Sequence, residues 1–307
     1  MKIALTGGTG FIGGHVFDNT AGRGIGIKAL TRRPQPARPG VEWIRGSLED
    51  EDSLKKLVSS CQAVIHMAGA VKAENREAFA HINLTGTEKL LAATKAAGIK
   101  RFIHVSSLAA REAELSDYGW SKAQSEEKVR SSGLDWTIIR PPAVYGSGDR
   151  EMLEMFRMAV MGLMIMPPKG RLSLIAADDL SRLILTLVDR DISQPSYHQL
   201  YEVDDGHPEG WSQNEFAQAL GHAVGRPSIK VVHLPKKLLS FASKAEGWLH
   251  GNQARLTQDR VRYFCHPDWV INPTLRPPTT LWEPQIPLEE GLNQTAIWYR
   301  SRGWLKR

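Results

Sequence analysis

Two cysteines, Cys61 and Cys265, are all that the 307 residues contain. Their separation matches no metal or redox motif, and no disulfide framework can be built from them, so a reducing cytoplasm is the expected location. Long apolar runs are scarce as well. The nearest, Met158 to Pro168, falls short of the roughly 20 residues that cross a bilayer and closes on two prolines, so no integral membrane segment is expected. The opening MKIALTGGTG lacks the apolar core of a signal peptide. His, Cys and Asp never fall at metal-ligand spacing, which predicts no metal site, and no G-x-S-x-G elbow supports acyl transfer. The formal net charge is +6, yet no block of lysine or arginine is long enough to indicate nucleic acid. The surplus reads as a solvated surface suited to phosphate-bearing small molecules.

What is present is an ordinary globular composition, 42% hydrophobic and 23% charged, which argues against dominant disorder. Short apolar strands are read at 2–6, 26–31, 41–45, 63–67, 101–106 and 136–140, with helices from Phe11, over 51–59, over 83–98 and over 118–130. Such alternation predicts an α/β fold, a Rossmann-type doubly wound parallel sheet with helices on both faces. Past residue 150, proline, tryptophan and irregular segments become frequent. The expected organisation is a dinucleotide-binding domain over 1–150, to which the chain returns at about 175–204. Residues 151–174 and 205–307 then form a smaller, irregular substrate lobe. In that lobe, Ser212 followed by Glu215 reads as a helix-capping pair.

The loop Gly7-Gly8-Thr9-Gly10-Phe11-Ile12-Gly13 follows a strand and opens a helix, the context in which a glycine triplet signals nucleotide binding. Gly7 permits the tight turn, Gly10 admits a pyrophosphate to the backbone and Gly13 lets helix and sheet pack closely. The helix N-terminus supplies free N–H groups and positive dipole. The second strand ends Ala29-Leu30-Thr31-Arg32-Arg33-Pro34, with no acid to accept a ribose 2′-hydroxyl. Arginine there suits a 2′-phosphate, so NADP(H) is expected in preference to NAD(H).

Tyr118 and Lys122 are four apart on a predicted helix and face the same way. A neighbouring ammonium is expected to lower the phenol's pKa, letting Tyr118 exchange a proton with a substrate oxygen while Lys122 holds the nicotinamide ribose. Ser107 stands at a strand end, where open α/β sheets place ligands, and can bind the same oxygen.

Taken together, the chain resembles the short-chain dehydrogenase/reductase superfamily, in its extended or atypical NAD(P)-dependent epimerase/dehydratase-like branch. The resemblance rests on Thr6 to Gly13, His66-Met67-Ala68-Gly69, Asn83-Leu84-Thr85-Gly86-Thr87 and Val105-Ser106-Ser107. It continues through Tyr118-Gly119-Trp120-Ser121-Lys122, Arg140-Pro141-Pro142-Ala143-Val144-Tyr145-Gly146 and Ala177-Asp178-Asp179-Leu180. It implies Ser107, Tyr118 and Lys122 as the catalytic set. It implies cofactor contacts at Gly7, Thr9, Gly10, Phe11, Ile12, Gly13, Arg32, Arg33, Leu48, Met67, Ala68, Gly69, Asn83, Pro141 and Val144, together with Tyr118 and Lys122. Only ten residues separate Ser107 from Tyr118, fewer than is usual in sugar-nucleotide epimerases. The expected activity is therefore interconversion of a ketone and a secondary alcohol on a small-molecule substrate. An epimerase or dehydratase without net cofactor turnover is the alternative, and a non-catalytic NADP(H)-binding sensor or assembly protein is a third. Members of this family often pair helices into homodimers, although no feature of the sequence requires it.

Four further features are read as structural. Met152, Met155, Met158, Met161 and Met164, joined by Met166, read as a helix packed on the core. A pliant apolar wall for a lipid-like or aromatic substrate is the sharper alternative. The basic, amphipathic run Pro235 to His250 reads as packing within the second lobe in preference to membrane contact. His66 and His104 read as satisfied core or edge histidines. One of Asp178 and Asp179 reads as a helix N-cap.

Overall fold

The computed structural model describes residues 1–189, 194–250 and 257–306, which divide into two compact units. The first comprises Met1–Pro141, Leu180–Glu202 and Leu275–Glu283. Its strands are β1 (Lys2–Thr6), β2 (Gly26–Thr31), β3 (Val41–Arg45), β4 (Ala63–His66), β5 (Arg101–Val105) and β6 (Asp135–Arg140), completed by the strand Gln199–Glu202. They form one parallel sheet in the order Gln199–Glu202, β6, β5, β4, β1, β2, β3. The order reverses between β1 and β4. Ligands of doubly wound sheets bind in the crevice outside the carboxyl ends at such a reversal.

The sheet is covered on both faces, so its central strands are apolar at nearly every position. Ile3, Ala4 and Leu5 of β1 are fully buried, as are Val64, Ile65, Phe102 and Ile103. Ala4, Val64, Phe102 and Ile138 form one face. They pack under α2 (Glu51–Val58) and α4 (Gly86–Ala96) through Leu54, Leu57, Leu90 and Leu91. α2 begins at Asp50, whose carboxylate accepts the N–H groups of Asp52 and Ser53. At the amino end of β5, Arg101 is buried without exposure. Its guanidinium donates to the carbonyls of Leu187 and Asp135 and to the Ser196 hydroxyl, so each of its three nitrogens has a partner.

The helix expected over 83–98 is more complex. α3 (Arg76–Phe79), capped by Asn75, runs into a π-helical stretch, Ala80–Thr85, before α4 begins. A π turn re-aims side chains relative to a regular helix, and Asn83 lies within it.

The second unit comprises Pro142–Asp179, Val203–Thr274 and Pro284–Arg307. Among the described residues it holds three small sheets. Ala143–Tyr145 pairs with Leu174–Ala176, Leu163–Met166 pairs with Lys230–His233, and Arg171–Leu172 lies between Trp211–Ser212 and Asp268–Trp269. Its core gathers Tyr145, Phe156, Phe216, Leu220, Leu292 and Tyr299. The capping pair is present: Ser212 accepts the Glu215 N–H, and the Glu215 carboxylate accepts the Ser212 N–H.

The methionine run is not one helix. Met155, Met158 and Met161 lie on the helix Leu153–Met161, which ends at left-handed Gly162, while Met164 and Met166 lie on the following strand. Met152, Met164 and Met166 are core residues, with Met155 and Met158 packed against them. Neither Asp178 nor Asp179 is the N-cap: both lie inside the helix Ala177–Thr186, and the Asp179 carboxylate accepts the N–H groups of Gln285 and Ile286. Among the described residues, no helix is long and apolar enough to cross a membrane.

Candidate active site

β1 ends at Thr6 and the chain turns at Gly7, whose φ of +80° is left-handed. A Cβ there would stand 2.7 Å from the Ala68 nitrogen, because the segment leaving β4 crosses directly behind the loop. The Gly10 N–H closes the turn on the Gly7 carbonyl at 3.0 Å. A Cβ at Gly13 would lie 2.5 Å from the carbonyl oxygens of Gly7 and Gly8, so α1 (Phe11–Asn19) packs against the loop at contact distance. Gly10 is the N-cap of α1, and no side chain caps that helix. Thr9 and Gly10 are exposed and Phe11 and Ile12 half-buried. The uncapped first turn therefore presents its amide donors and dipole at the sheet's reversal point, an arrangement that fits a dinucleotide pyrophosphate.

Behind the loop runs a buried polar chain. The Thr87 hydroxyl donates to the Asn83 carbonyl at 2.6 Å and so accepts from His66 Nε2 at 2.8 Å. That fixes the tautomer: His66 Nδ1 is the acceptor, and the Thr6 hydroxyl donates to it at 2.6 Å. Thr6 Oγ1 also accepts the Ala68 N–H. Burial, aided by the Lys122 charge, pushes the His66 pKa down to about 3, so the imidazole stays neutral. His66 is thus a satisfied core histidine. His104 is buried and bonded through Nε2 to the Ser125 hydroxyl.

Asn83 is only 2% exposed. Its Oδ1 accepts the Ala70 N–H at 2.7 Å, and its Nδ2 donates to the Ala70 carbonyl at 3.0 Å and to Ser121 Oγ at 2.9 Å. The sequence reading gave Asn83 a place among the cofactor contacts. With its amide so engaged, its part in the structure is to fasten the Met67–Ala70 segment to α5 (Asp117–Arg130).

At the end of β2, Arg32 and Arg33 are exposed, and neither guanidinium has a partner among the described residues. The backbone that carries them is fixed: the Thr31 hydroxyl donates to the Arg33 carbonyl at 2.6 Å and accepts the Arg33 N–H at 3.3 Å. Leu48 is half-buried beside Gly86, where a Cβ would meet it at 2.8 Å. The Pro141 carbonyl accepts the Leu108 N–H at 2.9 Å. Val144 lies on the strand Ala143–Tyr145 of the second unit.

Ser107, Tyr118 and Lys122 are brought to the carboxyl end of β5. Ser107 caps the 3-10 turns Leu108–Leu115 by accepting the Ala109 N–H at 3.2 Å, and its hydroxyl is hydrogen-bonded with the Tyr118 phenol. Ser116 caps α5 one residue before Asp117, which sets Tyr118 in the first turn. Lys122 is 5% exposed and donates to the Val105 carbonyl at 3.0 Å. Burial lowers its pKa to about 8, against the opposing charge of Glu126.

The expected lowering of the Tyr118 pKa by Lys122 is not found. Burial raises it, the Ser107 hydrogen bond pulls the other way, and the ammonium is turned to the Val105 carbonyl. The phenol therefore holds its proton at neutral pH.

A second tier escaped the sequence reading. Glu126 is buried, accepts the Ser106 hydroxyl at 2.5 Å and is held by two Arg140 bonds at 2.9 and 2.7 Å. Arg140 also reaches buried Glu202 at 3.4 Å. The signal was the second four-residue step, Lys122 to Glu126, on the same helix face.

Comparison with known proteins agrees with this geometry. A family model described as NAD(P)H-binding matches residues 7–156. The chain is 31% identical to a ceramide reductase of Caulobacter vibrioides, over 99% of this chain and 96% of that protein. It is 28% identical to a UDP-glucose 4-epimerase of Vibrio cholerae, over 96% and 94%. The fold matches the crystal structure of a UDP-glucose 4-epimerase from Thermotoga maritima with a TM-score of 0.72 at 21% identity, covering 98% of this chain and 99% of that one. The chain is an NAD(P)-binding enzyme and belongs to the short-chain dehydrogenase/reductase superfamily, in its extended, epimerase-like branch.

Proposed function

We propose that the protein is an NADP(H)-dependent reductase that converts a ketone bearing aliphatic chains to a secondary alcohol. The carrying observation is the gathering of Ser107, Tyr118 and Lys122 at the end of β5, with the Ser107 hydroxyl accepting the Ala109 N–H and buried Lys122 donating to the Val105 carbonyl. Ser107 orients the carbonyl oxygen. Tyr118, protonated at neutral pH, gives its proton to that oxygen as negative charge develops there, which suits the direction of reduction. Lys122 holds the nicotinamide ribose, and its charge compensates the phenolate left behind. The amides opening α1 hold the pyrophosphate, and Arg32, with Arg33, meets the 2′-phosphate. The bound cofactor supplies the hydride.

The aliphatic substrate is supported by full-length similarity to a protein named a ceramide reductase. The eight-residue 3-10 segment Leu108–Leu115, all that lies between Ser107 and the N-cap of α5, leaves little chain to shape a nucleotide-sugar pocket. The epimerase reading is favoured by the relative named UDP-glucose 4-epimerase. The test is NADPH consumption, with NADH in parallel, on a panel of long-chain ketones and on UDP-glucose. Net oxidation of NADPH on a ketone carries the proposal. Interconversion of UDP-sugars without net turnover overturns it in favour of the epimerase. Tight cofactor binding with no turnover on any substrate overturns it in favour of a sensor.

A further inference from the structure

We propose that the helix Lys236–His250 is an interfacial element that seats the second unit on an anionic lipid surface. Among its described side chains, the helix packs by one face. Ser243 is buried and Leu239 and Ser240 are half-buried, and Gln258, at the start of the helix Gln258–Phe264, donates to the Ser240 carbonyl and to the Ser243 hydroxyl. The expected packing within the lobe is therefore met on that side. On the other side, Leu238, Phe241 and Trp248 are 50%, 71% and 87% exposed.

Positions 238, 241 and 248 step by three and seven residues, which aligns them in one stripe along the helix. Lys237 and Lys244, both exposed, fall along one border of that stripe. The helix carries three lysines, Lys236, Lys237 and Lys244, against the single acid Glu246.

An exposed tryptophan, phenylalanine and leucine in one row are not scattered surface apolar residues; they form a patch that calls for a partner. A bilayer interface suits them in three respects. Indole and phenyl rings settle at the headgroup–acyl boundary. The stripe is too short to span and long enough to lie flat. The bordering lysines meet lipid phosphates. A second copy of the chain would bring its own lysines to the same seam, with no acid on the described stripe to meet them. Charge complementarity thus selects the anionic surface. This inference stands apart from the proposed reduction, since vesicle binding is read without substrate or cofactor.

The test is flotation of the full-length protein with phosphatidylcholine vesicles and with vesicles of phosphatidylcholine and phosphatidylglycerol in equal parts. The expected result is binding to the anionic vesicles that weakens as salt rises. The variant Leu238→Gln/Phe241→Gln/Trp248→Gln should lose at least about tenfold in binding at an unchanged unfolding temperature. The milder Trp248→Gln and the charge reversal Lys237→Glu/Lys244→Glu should each weaken anionic binding, which keeps the inference testable should the triple variant misfold. Absence of anionic binding, or equal binding by all the variants, overturns it. So does a lipid-free oligomer that the stripe variants dissolve, which would assign the stripe to a second copy.

Discussion

The Ser107 hydroxyl is held between the Ala109 amide, whose N–H it accepts at 3.2 Å, and the Tyr118 phenol, to which it is hydrogen-bonded. The Ala109 amide thus holds the Ser107 hydroxyl at the strand end, beside the phenol. Tyr118→Phe removes the proton donor while leaving the ring in its half-buried place. It is expected to lower kcat by about 10²–10⁴ while cofactor affinity stays unchanged. Steady-state rates and a fluorescence titration of the same preparation check it. Full activity in the variant would remove Tyr118 from the chemistry.

Arg32 offers a guanidinium with no partner among the described residues, on a backbone fixed by Thr31. Arg32→Ala should weaken NADPH by about tenfold or more, the worth of a charge-assisted pair, and leave NADH unchanged. Parallel titrations with the two cofactors decide it. Equal losses for both would show that Arg32 does not read the 2′-phosphate.

Much of this site could be read from local sequence because its chemistry lies in short segments. Gly7 to Gly13 is a continuous loop, and the Tyr118–Lys122 step is one helical turn. Six strands of the first unit were legible because a sheet buried on both faces needs unbroken apolar runs such as Ile3-Ala4-Leu5. The seventh, Gln199–Glu202, was not, since Gln-Leu-Tyr-Glu carries polar ends and owes its place to pairing with β6. Asn83 was legible, but its hydrogen bonds were not, since they depend on a π turn and on Ala70 and Ser121, 13 and 38 residues away. The Tyr118 pKa went the other way because burial, which spacing cannot show, raises it, while the Lys122 ammonium is turned to the Val105 carbonyl.

Lys122 carries a pH signature. Its pKa is lowered by burial to about 8 from an ordinary 10.5, so kcat/KM should hold below pH 8 and fall above it as the ammonium is lost. Lys122→Arg, whose charge persists, should move that limb upward even at reduced activity. The stability effect has the opposite sign. The unfolded chain binds the proton more tightly, so burying the ammonium costs stability below pH 8, and the cost is relieved as pH rises toward 10.5. A pH–rate profile with no inflection that responds to Lys122→Arg would leave Lys122 a structural role only.

Asn83→Ala tests the fastening of the Met67–Ala70 segment. The substitution leaves the Ala70 N–H and carbonyl without their side-chain partner and takes a donor from Ser121, at a position only 2% exposed. A stranded buried group costs about 1–3 kcal/mol, and water reaching half-buried Ala70 recovers part of it. A net loss of about 3 kcal/mol lowers Tm by roughly 5 °C in a protein of this size. Asn83→Asp keeps the acceptor for Ala70 N–H but turns a second oxygen toward the Ala70 carbonyl, so it should recover little. Cofactor affinity should fall with stability in both variants, because the segment Asn83 holds is the one that crosses behind Gly7. Calorimetry and a cofactor titration separate the two effects. An unchanged Tm with weakened cofactor binding would instead make Asn83 a direct cofactor contact.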